Sequence, residues 1–308
     1  FSFIKYSNGI EKFIGVCKML GIIGGSGIYE IDELDSSEWR TVDSSFGNPS
    51  DQLLFGKLHE QSVVFLPRHG RGHIYSPSTV NYRANIDALK RSGVNEILAL
   101  SAVGSLNPEY IPGTFILPDQ FIDRTFNREK SFFGTGLVAH ISMAKPVCEK
   151  LCKNIMKAAQ NIGLKIFDQA TYLVMEGPQF SSKAESELYR SWGCDLIGMT
   201  NMPEAKLARE AEICYSSVSM VTDFDCWHPD HDEVTVEKII KTLKENSENA
   251  KNLIIELTKL RSKFNSNPSC PCQFALDNAI ITDPKQWDKN RINACSAIAG
   301  RILKTNNQ

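Results

Sequence analysis

Apolar residues along the 308-residue chain gather into short unbroken runs, and these runs alternate with segments whose apolar positions recur every three or four residues. Such alternation predicts strands and helices in turn, the pattern of an α/β protein. Residues 19–23, 96–100, 114–118, 169–175, 196–199 and 213–221 read as strands, several of them apolar at nearly every position, as strands buried on both faces are. Residues 52–57 and 62–66 predict a hairpin. Helices are predicted over 80–91, with Ile86 and Leu89 inward, over 146–162 closed by Gly163, and from a cap at Ser181 or Ser182 through Tyr189. Pro203 suits the first position of a further helix with the apolar stripe Leu207, Ala208 and Ala211. Residues 236–260 predict a long helix with Ala250, Leu253, Ile254 and Leu257 on one face. Residues 32–48 read as irregular and 119–135 as a long polar loop. A polar linker at 262–271 leads to a short tail with a helix over 291–303.

Chemistry gathers where these runs end. Ser26 lies in Gly24-Gly25-Ser26-Gly27, Arg68 follows the second hairpin strand, Ser101 follows 96–100, and Thr200 sits between a strand end and a helix start. All four can donate to an oxyanion, and ligands of open α/β sheets bind beyond the carboxyl ends of the strands. The glycines are not a dinucleotide fingerprint, because Glu30 stands where the third glycine belongs. Taken singly, that turn reads equally as a tight bend, and His69 beside Arg68 as a solvated loop. The last predicted strand ends in Thr222-Asp223-Phe224-Asp225, which on an extended chain would point both carboxylates the same way. Phe180, just before a helix cap, reads either as a hydrophobic staple or as a stacking surface for a planar ligand.

A formal net charge of -2, with basic and acidic residues interspersed, argues against a nucleic-acid or membrane surface, so any anion site must be local. No run reaches the roughly 18 apolar residues of a membrane helix. Residues 1–18 do not resemble a secretory signal and read as an extension before Met19. Nine cysteines, an odd number, favour a reducing compartment, and the expected location is cytoplasmic. Cys148 and Cys152 share a helical face, and Cys270-Pro271-Cys272 is a close pair. A metal site would need more ligands at matching spacing, and the six histidines do not supply them, so no metal is expected. The expected organisation is an N-terminal extension at 1–18, one domain at 19–261 and a tail at 262–308.

Eight motifs lie in order along residues 20–260. They are Gly21-Ile-Ile-Gly-Gly-Ser-Gly-Ile-Tyr29, Arg68-His69-Gly70, Asn81-Tyr82-Arg83-Ala84-Asn85, Ser101-Ala102-Val103-Gly104-Ser105, Asp119-Gln-Phe-Ile-Asp-Arg124, Glu176-Gly-Pro-Gln-Phe-Ser-Ser182, Gly198-Met199-Thr200 and Thr222-Asp-Phe-Asp-Cys-Trp227. Together they resemble the S-methyl-5'-thioadenosine phosphorylases of the purine nucleoside phosphorylase family. The resemblance implies a single-domain purine nucleoside phosphorylase-like α/β/α sandwich with a mixed, partly barrel-like sheet, assembled as a homotrimer. It implies that Ser26, Arg68, Ser101, Ala102 and Thr200 hold phosphate, that His69 lies near phosphate and ribose, and that Met199 lies under the ribose. Phe180, Ser181, Asp223 and Asp225 would line the base, and His140 would reach a neighbouring subunit's methylthio pocket. Family members often carry Thr where Ser26 and Ser101 stand, but the hydroxyl survives.

The implied activity is phosphorolysis of methylthioadenosine to adenine and 5-methylthioribose 1-phosphate, a step of purine and methionine salvage. Asp223, Asp225 and His69 would be catalytic, phosphate a co-substrate, and no cofactor required. A carboxylate donates only when protonated, so Asp223 needs either a raised pKa or a protonated N7 partner. The alternative, a phosphorylase for 6-oxopurine nucleosides or methylthioinosine, leads one to expect Glu after Phe180 and Asn near position 223. Here those places hold Ser181 and Asp223.

Overall fold

The computed structural model describes residues 19–25, 27–228, 236–263 and 270–305. In chain order the elements are β1 (Met19–Gly24), β2 (Asp35–Arg40), β3 (Leu53–Leu58), β4 (Gln61–Pro67), α1 (Tyr82–Arg91), β5 (Val94–Ser105), β6 (Phe115–Arg124), α2 (Glu149–Asn161), β7 (Ile166–Met175), α3 (Lys183–Ser191), β8 (Leu196–Gly198), α4 (Asn201–Glu210), β9 (Cys214–Asp223), α5 (Val236–Lys263), α6 (Lys289–Ala294) and α7 (Gly300–Thr305). The unbroken apolar runs follow from what lies on each side of the sheet. Leu20, Ile22, Val63, Phe65, Leu98 and Leu100 face a core shared with α2 and α5, and Ile23, Val64, Leu66, Ile97 and Ala99 face one shared with α1 and α4. Leu253, Ile254 and Leu257 of α5 are fully buried, each worth roughly 1.5–3 kcal/mol of transfer free energy.

The strands form one mixed sheet in the order β2-β3-β4-β1-β5-β8-β7-β6-β9, and β9 pairs back onto β5. Strands β5, β8, β7, β6 and β9 thereby close a ring, and β1 to β4 extend from it as an open wing. The expected single α/β domain with a partly barrel-like sheet is what the chain adopts. The predicted hairpin is present, with His59 and Glu60 at its turn in left-handed conformations (φ 47° and 63°). Ser182 resolves the capping alternative for α3, accepting from the Glu185 amide in a capping box.

Several expectations are corrected. The stretch 32–48 contains β2, a mostly exposed edge strand held to β3 by its backbone, which the apolar pattern could not reveal. Strand β6 runs on to Arg124, so the predicted 119–135 loop begins late, and Phe121 packs from within the strand against Tyr172 at 5.7 Å. Helix α2 starts at Glu149 rather than 146, because Cys148 is its extended N-cap. The helix expected over 291–303 is two short helices, with α6 ending where Cys295 donates back to Arg291 and Asn293. The segment holding them does not dangle: Leu276, Ala279, Cys295, Ile298, Ala299 and Leu303 are buried in the same core as α1 and α4. No helix among the described residues is long and apolar enough to cross a membrane.

Candidate active site

Strands β1 and β4 run parallel and end together, Gly24 beside Pro67, and the Arg68 amide donates to the Gly24 carbonyl at 3.0 Å. The Arg68 side chain then turns inward. Its Nε and Nη2 donate to Glu204 Oε2 and Oε1 at 2.8 and 2.9 Å, and Nη1 donates to the Leu100 carbonyl at 3.0 Å. Both charged side chains are 2% exposed, and the Tyr215 hydroxyl donates to Glu204 Oε1 at 2.9 Å. Burial disfavours the guanidinium charge, but Glu204 outweighs it and raises the pKa. Three of the five guanidinium N–H groups are thus engaged, leaving two for a ligand.

Next to this pair lie Ser101, Thr200 and Tyr172. Ser101 is not at a strand end as expected, because β5 continues to Ser105. The buried hydroxyls of Ser101 and Tyr172 find no hydrogen-bond partner among the described residues. Thr200 is the N-cap residue of α4, yet its hydroxyl makes no capping bond and reaches only Asn201 Oδ1, at 3.4 Å. Leaving a buried hydroxyl unpaired costs roughly 1–3 kcal/mol. Tyr172 comes this close because β8 offers Gly198, where a Cβ would collide with the phenol hydroxyl. Ala102 is half-buried beside Ser101, and Ser26 lies outside the described residues, its neighbour Gly24 being adjacent to Arg68 in the sheet.

His69 extends this cluster. Its Nδ1–H donates to the Tyr75 carbonyl at 2.9 Å, which leaves Nε2 as a bare acceptor, and the ring stacks on His73 at 4.3 Å. Burial, and then the neighbouring Arg68 charge, lower its pKa to about 4, so the ring is neutral at pH 7.

The second cluster forms at the end of β9. Pairing of β5 with β9 slips between Val103 and Gly104, so Gly104 faces Asp223 and Thr222 is the extra residue of a bulge. The Thr222 hydroxyl donates to Asp223 Oδ2 at 2.7 Å, and the Asp225 amide donates to Oδ1 at 2.8 Å. Burial outweighs both bonds and raises the Asp223 pKa. Asp225 departs from the expected extended geometry: with φ at 51° it sits in a turn closed onto Asp223. Its Oδ2 is buried without a hydrogen-bond partner among the described residues, and burial raises its pKa too. The Cys226 thiol donates to the Ser181 carbonyl at 3.3 Å, bringing the Phe180-Ser181 loop alongside, with Phe180 still 42% exposed.

Arg128 ties the start of α4 to the Glu176 loop, and sequence reasoning missed it because it lay in a stretch read as a long polar loop. Almost wholly buried, it donates to the carbonyls of Met199 at 2.6 Å, Met202 at 2.7 Å and Glu176 at 2.7 Å. Glu176 in turn accepts from the Phe126 and Asn127 amides and from the Ser78 hydroxyl. Met199 is thereby pinned over Gly177, where a Cβ would lie 2.5 Å from its sulfur. Glu204 was missed as well, since its partner Arg68 lies 136 residues away, and so was Tyr172, which reads as one more aromatic position of a buried strand. His140 stands apart: exposed, beside the Ala139–Ile280 bridge, its amide donates to the Ala279 carbonyl at 2.9 Å.

Residues 19–259 match the family model described as Phosphorylase superfamily. The chain belongs to this superfamily. Within it, the S-methyl-5'-thioadenosine phosphorylase of Rhodospirillum rubrum is 57% identical over 286 residues, covering 92% of this chain and 97% of the relative. The protein of the same name from Cereibacter sphaeroides is 54% identical over 289 residues, covering 93% and 99%. Among solved structures, a methylthioadenosine phosphorylase from an antarctic soil metagenomic library superposes with a TM-score of 0.86 at 41% identity, covering 92% of this chain and 99% of that one. A variant adenosine/methylthioadenosine phosphorylase from Schistosoma mansoni, in complex with adenine, gives 0.80 at 33% identity, covering 86% and 99%.

Proposed function

We propose that this superfamily member cleaves S-methyl-5'-thioadenosine by phosphorolysis, releasing adenine and 5-methylthioribose 1-phosphate. The observation that carries the reading is the pairing of two buried clusters on β5. Unpaired hydroxyls beside Arg68 gather at Ser101, and two carboxyls raised in pKa lie against Gly104, three residues further along. In this reading Ser26, Arg68, Ser101, Ala102 and Thr200 seat phosphate, which is the co-substrate. One phosphate oxygen forms a bond to C1' as the C1'–N9 bond breaks and its electron pair passes into the purine. Fixed donors that hold the nucleophile under the sugar supply the positioning and electrostatic parts of the rate.

Asp223 is the group that offers a proton at N7, and burial favours the neutral acid this requires. Asp225 offers its unpaired oxygen to the exocyclic amine of adenine, with Ser181 and Phe180 completing the base site. The bare Nε2 of His69 accepts from a ribose hydroxyl or a phosphate proton, and Met199 supports the sugar. The chemistry so written calls on no metal or organic cofactor. A homotrimer, in which His140 serves a neighbour's methylthio pocket, belongs to the same proposal, as does a cytoplasmic location, which free cysteines suit. Incubation with methylthioadenosine, with and without phosphate, tests it. Adenine should appear only with phosphate, together with an equal amount of 5-methylthioribose 1-phosphate. Equal release without phosphate would make the protein a hydrolase, and no release a binding protein.

A further inference from the structure

Sequence spacing offers no metal site, yet the fold brings four cysteines together from three distant segments. Cys148 caps α2, Cys214 opens β9, and Cys270 and Cys272 flank Pro271 in a turn of 3-10 helix. All four are buried, their sulfurs lie within 4.8 Å of one another, and Cys148 and Cys270 are 3.6 Å apart. Zinc bound by four thiolates at about 2.3 Å places neighbouring sulfurs about 3.8 Å apart. The cluster is therefore close to the size a tetrahedral ion requires. Cys152, one helical turn away, instead pairs with the Ser216 hydroxyl at 3.2 Å and lies outside it.

We propose that Cys148, Cys214, Cys270 and Cys272 bind one zinc ion per chain. Zinc displaces four thiol protons to solvent and forms four Zn–S bonds, giving a centre of net charge -2 with no change of oxidation state. Arg209 offsets that charge. Its Nη1 donates to the Cys272 sulfur at 3.3 Å while Nη2 is held by the Lys145 carbonyl, the kind of outer hydrogen bond that orients thiolate ligands. All four positions are taken by protein sulfur, so the ion has no open place for a substrate and is structural. It also sits at the opposite end of β9 from Asp223, about 30 Å away along a ten-residue strand. Its work is to fasten the segment beginning at Cys270 to the sheet. That segment then runs back beside His140 through the Ala139–Ile280 bridge.

Elemental analysis of the full chain, purified under reducing conditions without chelator, should find one zinc per chain. Replacing zinc by cobalt should give the intense visible bands and sulfur-to-metal charge-transfer absorption of a tetrahedral cobalt thiolate. Cys272→Ser should lose most of the metal, and Cys152→Ser should keep it. A strong chelator should lower the Tm of the wild-type chain and added zinc should restore it. If Cys272→Ser does not fold, the wild-type stoichiometry and cobalt spectrum decide. Substoichiometric zinc after incubation with excess metal, a cobalt spectrum without thiolate bands, or a mass showing a disulfide among the four cysteines of the reduced protein would each overturn the site.

Discussion

Arg68 and Glu204 are 136 residues apart and joined by two hydrogen bonds in surroundings that exclude water. Changing Arg68 to Met keeps most of its volume but leaves the Glu204 carboxylate buried without its cation. Breaking one side of such a pair costs roughly 3–5 kcal/mol, whereas exchanging both partners for apolar residues is often close to neutral. At about 2–4 °C per kcal/mol, the single variant should melt roughly 6–20 °C below the wild type. The double variant Arg68→Met/Glu204→Leu should recover at least half of that loss, since the Tyr215 hydroxyl keeps a bond from Asn201. Phosphate use should not recover with it. Both variants lack the two free guanidinium N–H groups, and each charge-assisted bond is worth roughly 1.5–3 kcal/mol, so the phosphate KM should rise at least about tenfold in both. Differential scanning calorimetry and initial rates against phosphate separate the two effects. A wild-type phosphate KM in either variant, or a double variant no more stable than the single, would refute the reasoning.

Three further outcomes follow from the same geometry. The unfolded chain protonates His69 near pH 6.5 while the folded chain resists until about pH 4. Stability should therefore fall as the pH drops through that window, by up to about 3 kcal/mol, and His69→Asn should flatten the decline in urea titrations run at each pH. Asp225→Asn gives the base site a donor, so the ratio of kcat/KM for methylthioadenosine over methylthioinosine should fall about tenfold or more; an unchanged ratio would remove Asp225 from base selection. Gly198→Ala drives a methyl group into the Tyr172 hydroxyl and should destabilise by about 1–3 kcal/mol, with partial rescue by Tyr172→Phe in thermal melts.

Much of the fold was legible because β1, β4 and the first half of β5 are buried on both faces and apolar at both parities, while β9, equally buried, shows its apolar residues between serines. Strand β2 was not, since Asp35 to Arg40 are almost all exposed and are held to β3 mainly by backbone bonds, with the Arg40 guanidinium over the Phe55 ring as a side-chain contact between them. At the site, Arg68, Ser101, Thr200 and Asp223 were legible because each stands next to an apolar run. Glu204 and Arg128 read as ordinary charges on a helix and in a loop; what marks them is burial, and their partners come from elsewhere in the chain. The turn at Asp225 was hidden for a similar reason, as it depends on an amide bond to Asp223 that residue types do not announce. The four cysteines escaped a spacing argument because spacing rules serve ligands on one local scaffold, and these come from three.

Ser101 and Gly104 lie three residues apart on β5, one at the anion-facing cluster and the other against Asp223. At about 3.3 Å per residue, that is a separation of about 10 Å. The strand thus acts as a gauge whose length is counted in peptide bonds, and opening or closing of the surrounding loops leaves it unchanged. The bulge at Thr222 is the index mark on that gauge. It sets Asp223 rather than Thr222 opposite Gly104; in a strand without the slip Asp223 would stand opposite Ser105, its carboxylate on the other face of the sheet.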